Sequence, residues 1–286
     1  GINSAGGFAA VMDNARALPG YLSLNNTFDA ANNASNSFSF ISIVSTLAWG
    51  IGYFGMPHIL VRFMAIEDEK KLTLSRRIAS VWVVIAMTVG IFIGVVGLAM
   101  TKAGSLENLA DSETVIVRIT GLISRHGVIA ALIAGVILAG ILAATMSTSD
   151  SQLLTAASGV SQNILHDFFH IEMDEKKSLL TARLTIVAIA VVAVFMARNP
   201  NSSVFGIVSF AWAGFGAAFG AVMLCALFWK RSTLAGAISG MVAGGVMVFV
   251  WKYLVRPLGG AFDIYELLPA FLVSLVVIVV VSFLTQ

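Results

Sequence analysis

The chain has 286 residues, of which 58% are apolar and only 11% are charged, and its formal net charge is +2. Soluble domains carry about 25% charged residues, so this composition excludes the ordinary soluble globular class. The net charge gives no sign of a nucleic-acid partner, because the basic residues lie in short loops between apolar runs.

Six stretches contain no Asp, Glu, Lys or Arg: residues 78–101, 127–149, 184–197, 199–229, 232–251 and 267–286. All but the third reach the ~20 residues that a helix needs to cross ~30 Å of hydrocarbon. In lipid, every backbone N–H and C=O must be paired within the protein, which leaves helices or closed barrels. The runs are continuously apolar and do not alternate with period two, so the sequence predicts an all-α membrane protein embedded in a lipid bilayer.

The predicted elements begin with an Asn- and Ser-rich stretch, residues 1–37, which we expect to be extracytoplasmic. Its apolar patch, Phe8–Leu18, is compatible with a surface helix and equally with a plain connecting loop. About seven membrane segments follow, at roughly 38–57, 76–100, 127–149, 180–197, 204–228, 233–254 and 266–284.

The first membrane segment has an unusual density of helix-weakening residues, namely Gly50, Gly52, Gly55 and Pro57. This density predicts an interrupted helix, and transporters use such breaks to direct half-helix ends toward ions and substrates. Trp49 and Tyr53 are four residues apart and therefore share one helix face. Two aromatic faces suit a small ring with a nearby cation. A kinked packing helix with interfacial aromatics explains the same pattern equally well.

A dense cluster of hydroxyl side chains ends the third segment, where five occur within seven residues: Thr145, Ser147, Thr148, Ser149 and Ser151. Hydroxyl oxygens suit hard cations, which favours an ion site. The alternative is that these hydroxyls bond to carbonyls of their own helix. No carboxylate lies well inside any predicted span, whereas proton relays generally use one. The sequence therefore favours sodium over proton coupling.

Small residues recur at four-residue spacing, and we interpret them as helix-packing positions: Gly135 and Ala139, Gly216 and Gly220, and Gly236, Gly240 and Gly244. Four aromatic residues near span ends fit an interfacial aromatic belt: Trp229, Trp251, Tyr253 and Tyr265. No phosphate-binding loop, nucleophile elbow or zinc-protease motif is present, so no enzymatic activity is predicted.

Orientation follows from the basic residues, of which ten lie on one predicted side and seven on the other. The loop at 58–77 alone carries five. Because short loops rich in Lys and Arg stay inside, we expect this loop and Gln286 to be cytoplasmic and the N-terminal stretch to be outside. The expected location is the cell membrane, as a multi-pass protein.

Four segments resemble the sodium:solute symporter family, and within it the bacterial branch that transports proline. They are LAWGIGYFGMPHILVRFMA at 47–65, LAATMSTSDSQLL at 142–154, VSFAWAGFGAAFG at 208–220 and ALFWKRSTLAGAISGMVAGGV at 226–246. The resemblance implies a leucine-transporter-like fold of two inverted five-helix repeats. Residues 38–228 would be the second repeat and 229–286 two additional helices, while the N-terminal half of the transporter would lie outside this chain.

The same resemblance implies site residues and a function. Trp49, Tyr53 and Pro57 would shape a site for L-proline, with the unwound backbone around Gly50 and Gly52. Ser147 and Thr148 would bind the co-transported sodium ion. The implied function is sodium-coupled proline symport by alternating access. Three alternatives stay open: another small solute of the same family, a symporter-like sensor module, and a channel, for which no continuous polar stripe is seen.

Overall fold

The computed structural model describes residues 1–29, 31–198 and 203–286. Eleven α-helices dominate this part of the chain: α1 (Phe8–Arg16), α2 (Phe40–Gly52), α3 (Pro57–Met64), α4 (Lys71–Lys102), α5 (Val115–Ile123), α6 (Val128–Ser158), α7 (Glu175–Met196), α8 (Val204–Phe215), α9 (Ala221–Phe228), α10 (Leu234–Val250) and α11 (Leu267–Leu284). Two short strands, β1 (Asn26–Asp29) and β2 (Ala34–Ser37), form an antiparallel hairpin.

Several helices continue in wider or tighter turns. Segments of π-helix extend α6 over Gly159–Phe168, join α8 to α9 over Gly216–Gly220 and extend α10 over Trp251–Val255. Turns of 3₁₀-helix occupy Asn3–Ala5, Tyr53–Gly55, Ser112–Thr114, Arg256–Leu258 and Gly260–Phe262.

In the described residues, six helices are long and apolar enough to cross a membrane, and counting the bent pair α2–α3 as one span gives seven. This confirms the predicted all-α membrane protein with about seven segments. The third span exceeds its prediction, because the helix runs from Val128 to Phe168 without stopping at the hydroxyl cluster. Polar side chains end a hydrophobic run but need not end a helix that projects beyond the hydrocarbon.

The structure divides into two compact units, residues 1–38 with 66–148 and residues 39–65 with 149–286. In the first unit, α1 packs on the second half of α4. Val11 is fully buried there and joins a core with Val96 and Met100. The apolar patch near the N-terminus is therefore a helix, as one of the two sequence interpretations had it. The β-hairpin was not predicted, since its strands carry few apolar side chains.

In the second unit, α10 and α11 pack through a row of small residues. On α10 the row consists of Gly236, Gly240 and Gly244, which face Ser282, Ile278 and Ser274 of α11 in that order. A β-carbon added at any of these glycines would collide with α11. The hydroxyl of Ser274 also donates to the Gly240 carbonyl at 2.8 Å. These contacts confirm the packing interpretation here, whereas a β-carbon at Gly135 would meet nothing within 4 Å.

We expect Gly240→Val to destabilise the second unit by about 1–3 kcal/mol, the usual cost of overpacking a filled interior. A β-carbon at Gly240 would collide with the Ile278 side chain and lie 3.1 Å from the Ser274 carbonyl oxygen. Gly245→Val is the matched control, because a β-carbon there meets nothing within 4 Å. Thermal unfolding of the purified protein measures both, and equal midpoints for the two variants would contradict the packing assignment.

Candidate functional site

The broken helix is the most distinctive local feature of the second unit. Helix α2 ends at Gly52, the 3₁₀ turn follows, and Met56 is extended with φ −82° and ψ 110°. Helix α3 then begins at Pro57, and the two helix axes differ by 53°. Proline excludes the residue before it from helical geometry and favours the first position of a new helix. The predicted interruption is thus confirmed.

The position of the break differs from what the resemblance implies. Helix α2 continues through Gly50 and Gly52, a 3₁₀ turn follows at Tyr53–Gly55, and the helical path is lost only at Met56, the residue before Pro57. Gly52 has a packing reason to lack a side chain, since a β-carbon there would collide with the Trp212 indole. Gly50, by contrast, is exposed and meets no neighbour within 4 Å.

Trp49 lies at the centre of a group of five rings, which we call the aromatic cluster: Trp49, Tyr53, Phe205, Trp212 and Tyr265. The Trp49 ring stacks with Phe205, Trp212 and Tyr265 at centroid distances of 5.5, 5.4 and 6.0 Å. Tyr53 meets Trp212 edge to face at 4.7 Å. Trp49 and Tyr53 thus share one face, as their spacing predicts, and that face packs on α8.

Hydrogen bonds fix the cluster to the backbone. The Trp212 Nε1–H donates to the Trp49 carbonyl at 3.0 Å. The Tyr265 hydroxyl donates to the Ser209 carbonyl at 2.6 Å, and the Tyr265 N–H donates to Ser45 Oγ at 3.0 Å. Burial raises the pKa of the Tyr265 phenol, which keeps this hydroxyl protonated as a donor. Tyr265 therefore joins α2, α8 and the start of α11.

Not every ring of the cluster is enclosed. Trp212 and Tyr265 are buried at 8% exposure, whereas Tyr53 is 51% and Phe205 is 66% exposed. The buried members hold a platform of fixed geometry, and the exposed members leave ring faces and the Tyr53 hydroxyl accessible. Such a surface can bind a small ring by stacking and a cation through ring faces. Pro57 is the first residue of α3 and is partly buried.

A buried carboxylate lies next to the cluster. Glu266 is only 1% exposed, and its oxygens lie 2.8 Å from Arg256 Nη1 and 3.8 Å from Lys252 Nζ. Arg256 also pairs with the exposed Asp263 at 2.9 Å, and Lys252 lies 3.9 Å from the Phe210 ring centroid. Glu266 also precedes the first turn of α11, where the helix dipole favours a negative charge.

The hydroxyl cluster lies on α6, where Ser147 and Thr148 belong to the first unit and are exposed. Thr148 Oγ1 donates to the Ala144 carbonyl at 3.3 Å, and Thr145 Oγ1 donates to the Ile141 carbonyl at 3.1 Å. The back-bonding alternative therefore describes these two threonines. A donating hydroxyl still has oxygen lone pairs for a cation, so this bonding is compatible with metal ligation.

Sequence reasoning missed three members of the cluster: Phe205, Trp212 and Tyr265. Phe205 and Trp212 are seven residues apart on α8, a spacing that puts both on one helix face and could have singled them out. The position of Tyr265 near a span end predicts a place in an interfacial belt, but the ring is instead buried against Trp49. Only its contacts with α2 and α8 separate it from an ordinary span-end tyrosine.

The profile of the sodium:solute symporter family matches residues 1–244. Sodium/proline symporters of Staphylococcus aureus, including those of strains JH9 and Newman, are 39% identical over 264 residues, which is 89% of this chain and 50% of each relative. The chain spans about half the length of the curated relatives it matches. No solved structure matches the chain significantly.

The family profile covers most of the chain, and the helices it covers include the bent pair with Trp49 and Tyr53 and helix α8 with Phe205 and Trp212. A chain with these apolar spans is a multi-pass membrane protein. It belongs to the sodium:solute symporter family.

Proposed function

We propose that the full-length protein carries out sodium-coupled symport of L-proline across the cell membrane. Membership in a sodium:solute symporter family implies co-transport of sodium with a small solute. The observation that favours proline is the pair Trp49 and Tyr53 on the broken helix, because the half-exposed Tyr53 offers an aromatic face against which a small ring can stack. The printed names of the relatives, sodium/proline symporters, agree with this choice.

In the proposed site, the pyrrolidine ring of proline packs against Trp49 and Tyr53, with Pro57 closing one side. The secondary ammonium of proline lies over an aromatic face, where cation–π attraction is worth about 0.5–2 kcal/mol. The exposed backbone at Gly50 leaves room beside Trp49, and Gly52 lets α2 approach α8 closely enough to fix the Trp212 ring. The fixed positions of the Trp49 and Trp212 rings would then set the orientation of the bound proline.

Sodium is proposed to bind the hydroxyl oxygens of Ser147 and Thr148. Neutral oxygens coordinate an alkali cation without titrating, so the coupling ion need not compete with protons. Remaining ligands would be backbone carbonyls supplied by the N-terminal half of the transporter, outside this chain. Sodium is cargo here, taken up and released in each cycle.

Coupling in this proposal comes from differential affinity. Sodium binding favours an outward-open state, proline binds to that state, and the repeats then rock to release both inside. A ligand shifts such an equilibrium only by as much as its affinities for the two states differ. Residues 38–228 would form the second repeat, 229–286 two flanking helices, and 1–37 an extracytoplasmic segment, with Gln286 in the cytoplasm.

The decisive experiment is uptake of radiolabelled proline into proteoliposomes that contain the full-length protein, with and without an inward sodium gradient. Accumulation that requires the gradient would support both substrate and coupling. Sodium-dependent uptake of a different solute would support sodium-coupled symport but contradict proline as the substrate. A folded protein that moves no solute under any gradient would favour the sensor interpretation instead.

We expect Tyr53→Ala to raise the apparent KM for proline uptake about tenfold. The variant loses the edge-to-face contact with Trp212 and the aromatic face that is proposed to bind proline. Tyr53→Phe should retain most of the affinity if the ring dominates, which separates stacking from the hydroxyl. Tyr253→Ala is the control, since that ring is 60% exposed and lies outside the aromatic cluster. Uptake kinetics measure all three, and an unchanged constant in Tyr53→Ala would remove this residue from the site.

A further inference from the structure

An apolar groove with a basic end lies on the second unit, away from the aromatic cluster. It has a volume of about 370 Å³ and is formed by α9, the residue after it and α11. From α11 it takes Leu275, Val279 and Phe283, which repeat every four residues and so occupy one helix face. At 1.5 Å per residue, these three positions span ~12 Å along the helix. The groove thus runs lengthwise along a membrane span.

Two cations, Lys230 and Arg231, follow the groove-lining Trp229 in the chain. Both side chains are exposed, and the Arg231 guanidinium lies 5.7 Å from the centroid of the Phe283 ring that lines the groove. The sequence has no Asp or Glu at 176–262 or 267–286, the ranges that supply α8 to α11. Neither cation forms an ion pair with any residue that the structure describes.

The adjoining helix end adds to the positive potential. Helix α10 begins at Leu234, three residues after Arg231, and the first backbone N–H groups of a helix attract anions. Thr233 Oγ1 accepts from the Gly236 N–H at 3.1 Å and thereby holds this helix start in place. The connection between α9 and α10 joins two candidate spans, so it lies at the level of the lipid headgroups.

We propose that this groove is a binding site for one anionic phospholipid. An acyl chain would lie along Leu275, Val279 and Phe283, parallel to the span, and the headgroup phosphate would pair with Lys230 and Arg231. An apolar chain joined to an anion fits this groove, because its lining contains no charged side chain, Arg231 lies over the lining ring of Phe283, and neither Arg231 nor Lys230 pairs with an acidic group in the part of the chain that the structure describes. The contact with the Phe283 ring also restrains the Arg231 guanidinium, whose planar set of donors suits a phosphate group.

The test is native mass spectrometry of the full-length protein, purified in detergent and titrated with phosphatidylglycerol or phosphatidylcholine. We expect wild type to retain phosphatidylglycerol about 30-fold more tightly than phosphatidylcholine, since each of the two surface cations contributes ~1 kcal/mol to anionic-lipid attraction. The double variant Lys230→Gln, Arg231→Gln should reduce this preference to within about twofold. Arg76→Gln, Arg77→Gln is the control, an exposed basic pair at the start of another span.

A second pair of variants tests the acyl-chain part of the proposal. Val279→Trp fills the groove and should weaken retention of both lipids at least fivefold, whereas Val280→Trp is placed on the neighbouring exposed face and should leave retention unchanged. Thermal midpoints identify any variant that fails to fold. Wild type retaining no lipid, which is expected if the rest of the protein covers the groove, would overturn the proposal. Equal retention by the double variant, or displacement of the lipid by soluble glycerophosphate, would also overturn it.

Discussion

Replacing Thr148 by alanine is expected to raise the sodium concentration for half-maximal proline uptake about 10- to 100-fold. The proposed role of Thr148 is to offer a hydroxyl oxygen to sodium, and hydrogen bonds to charged groups contribute a comparable ~1.5–3 kcal/mol. The same variant should fold normally, because Thr148 is exposed and its hydroxyl donates to a carbonyl of its own helix, that of Ala144 at 3.3 Å. Sodium activation of uptake in proteoliposomes is the measurement.

Thr88→Ala is the matched control for this experiment. Thr88 also donates to a carbonyl four residues earlier, that of Val84 at 2.8 Å, and it lies on an exposed stretch of α4. Thr148→Ser should restore most sodium activation, because serine keeps the ligating oxygen. If sodium activates Thr148→Ala as it activates wild type, Thr148 is not a sodium ligand.

Replacing Glu266 by alanine is expected to lower the free energy of unfolding by about 2–4 kcal/mol. Removing one partner of a buried ion pair costs about 3–5 kcal/mol, and the partly exposed cations can recover some hydration. Here Arg256 would lose its 2.8 Å contact and Lys252 its 3.8 Å contact with the buried carboxylate. The start of α11 and the adjacent Tyr265 would lose their support. Denaturation of the purified protein measures this.

Asp263→Ala provides the comparison, because Asp263 pairs with the same arginine but is 61% exposed. An exposed ion pair contributes at most about 1 kcal/mol, so this variant should be close to wild type. A similar loss of unfolding free energy in both variants would mean that the burial of Glu266 does not determine how much its ion pairs stabilise the protein. Proline uptake by the Glu266 variant would further show whether Tyr265 still positions Trp49.

The position of the break in the first membrane segment illustrates how far local sequence rules reach. Pro57 and the glycines before it predict an interrupted helix, and the helix is interrupted. The resemblance to the family implies an unwound backbone around Gly50 and Gly52, yet the backbone stays helical through both residues. Proline forces the residue before it out of helical geometry through a steric clash, whereas glycine only permits the backbone to leave that geometry. What keeps Gly52 free of a side chain is a contact with Trp212, 160 positions later in the numbering.

The membrane class and the approximate spans can be read from the amino-acid order, because charge is excluded from hydrocarbon whatever the neighbouring helices are. The helix break before Pro57 and the shared face of Trp49 and Tyr53 can be read in the same way, because both depend on local backbone geometry. The stacking of Tyr265 on Trp49, the burial of Glu266 beside two cations and the packing of Gly240 on Ile278 became apparent only from the folded chain. A helix that is apolar all round has no polar face to indicate which side meets its partner. Contacts between distant helices are therefore set by the shapes of side chains once the spans assemble.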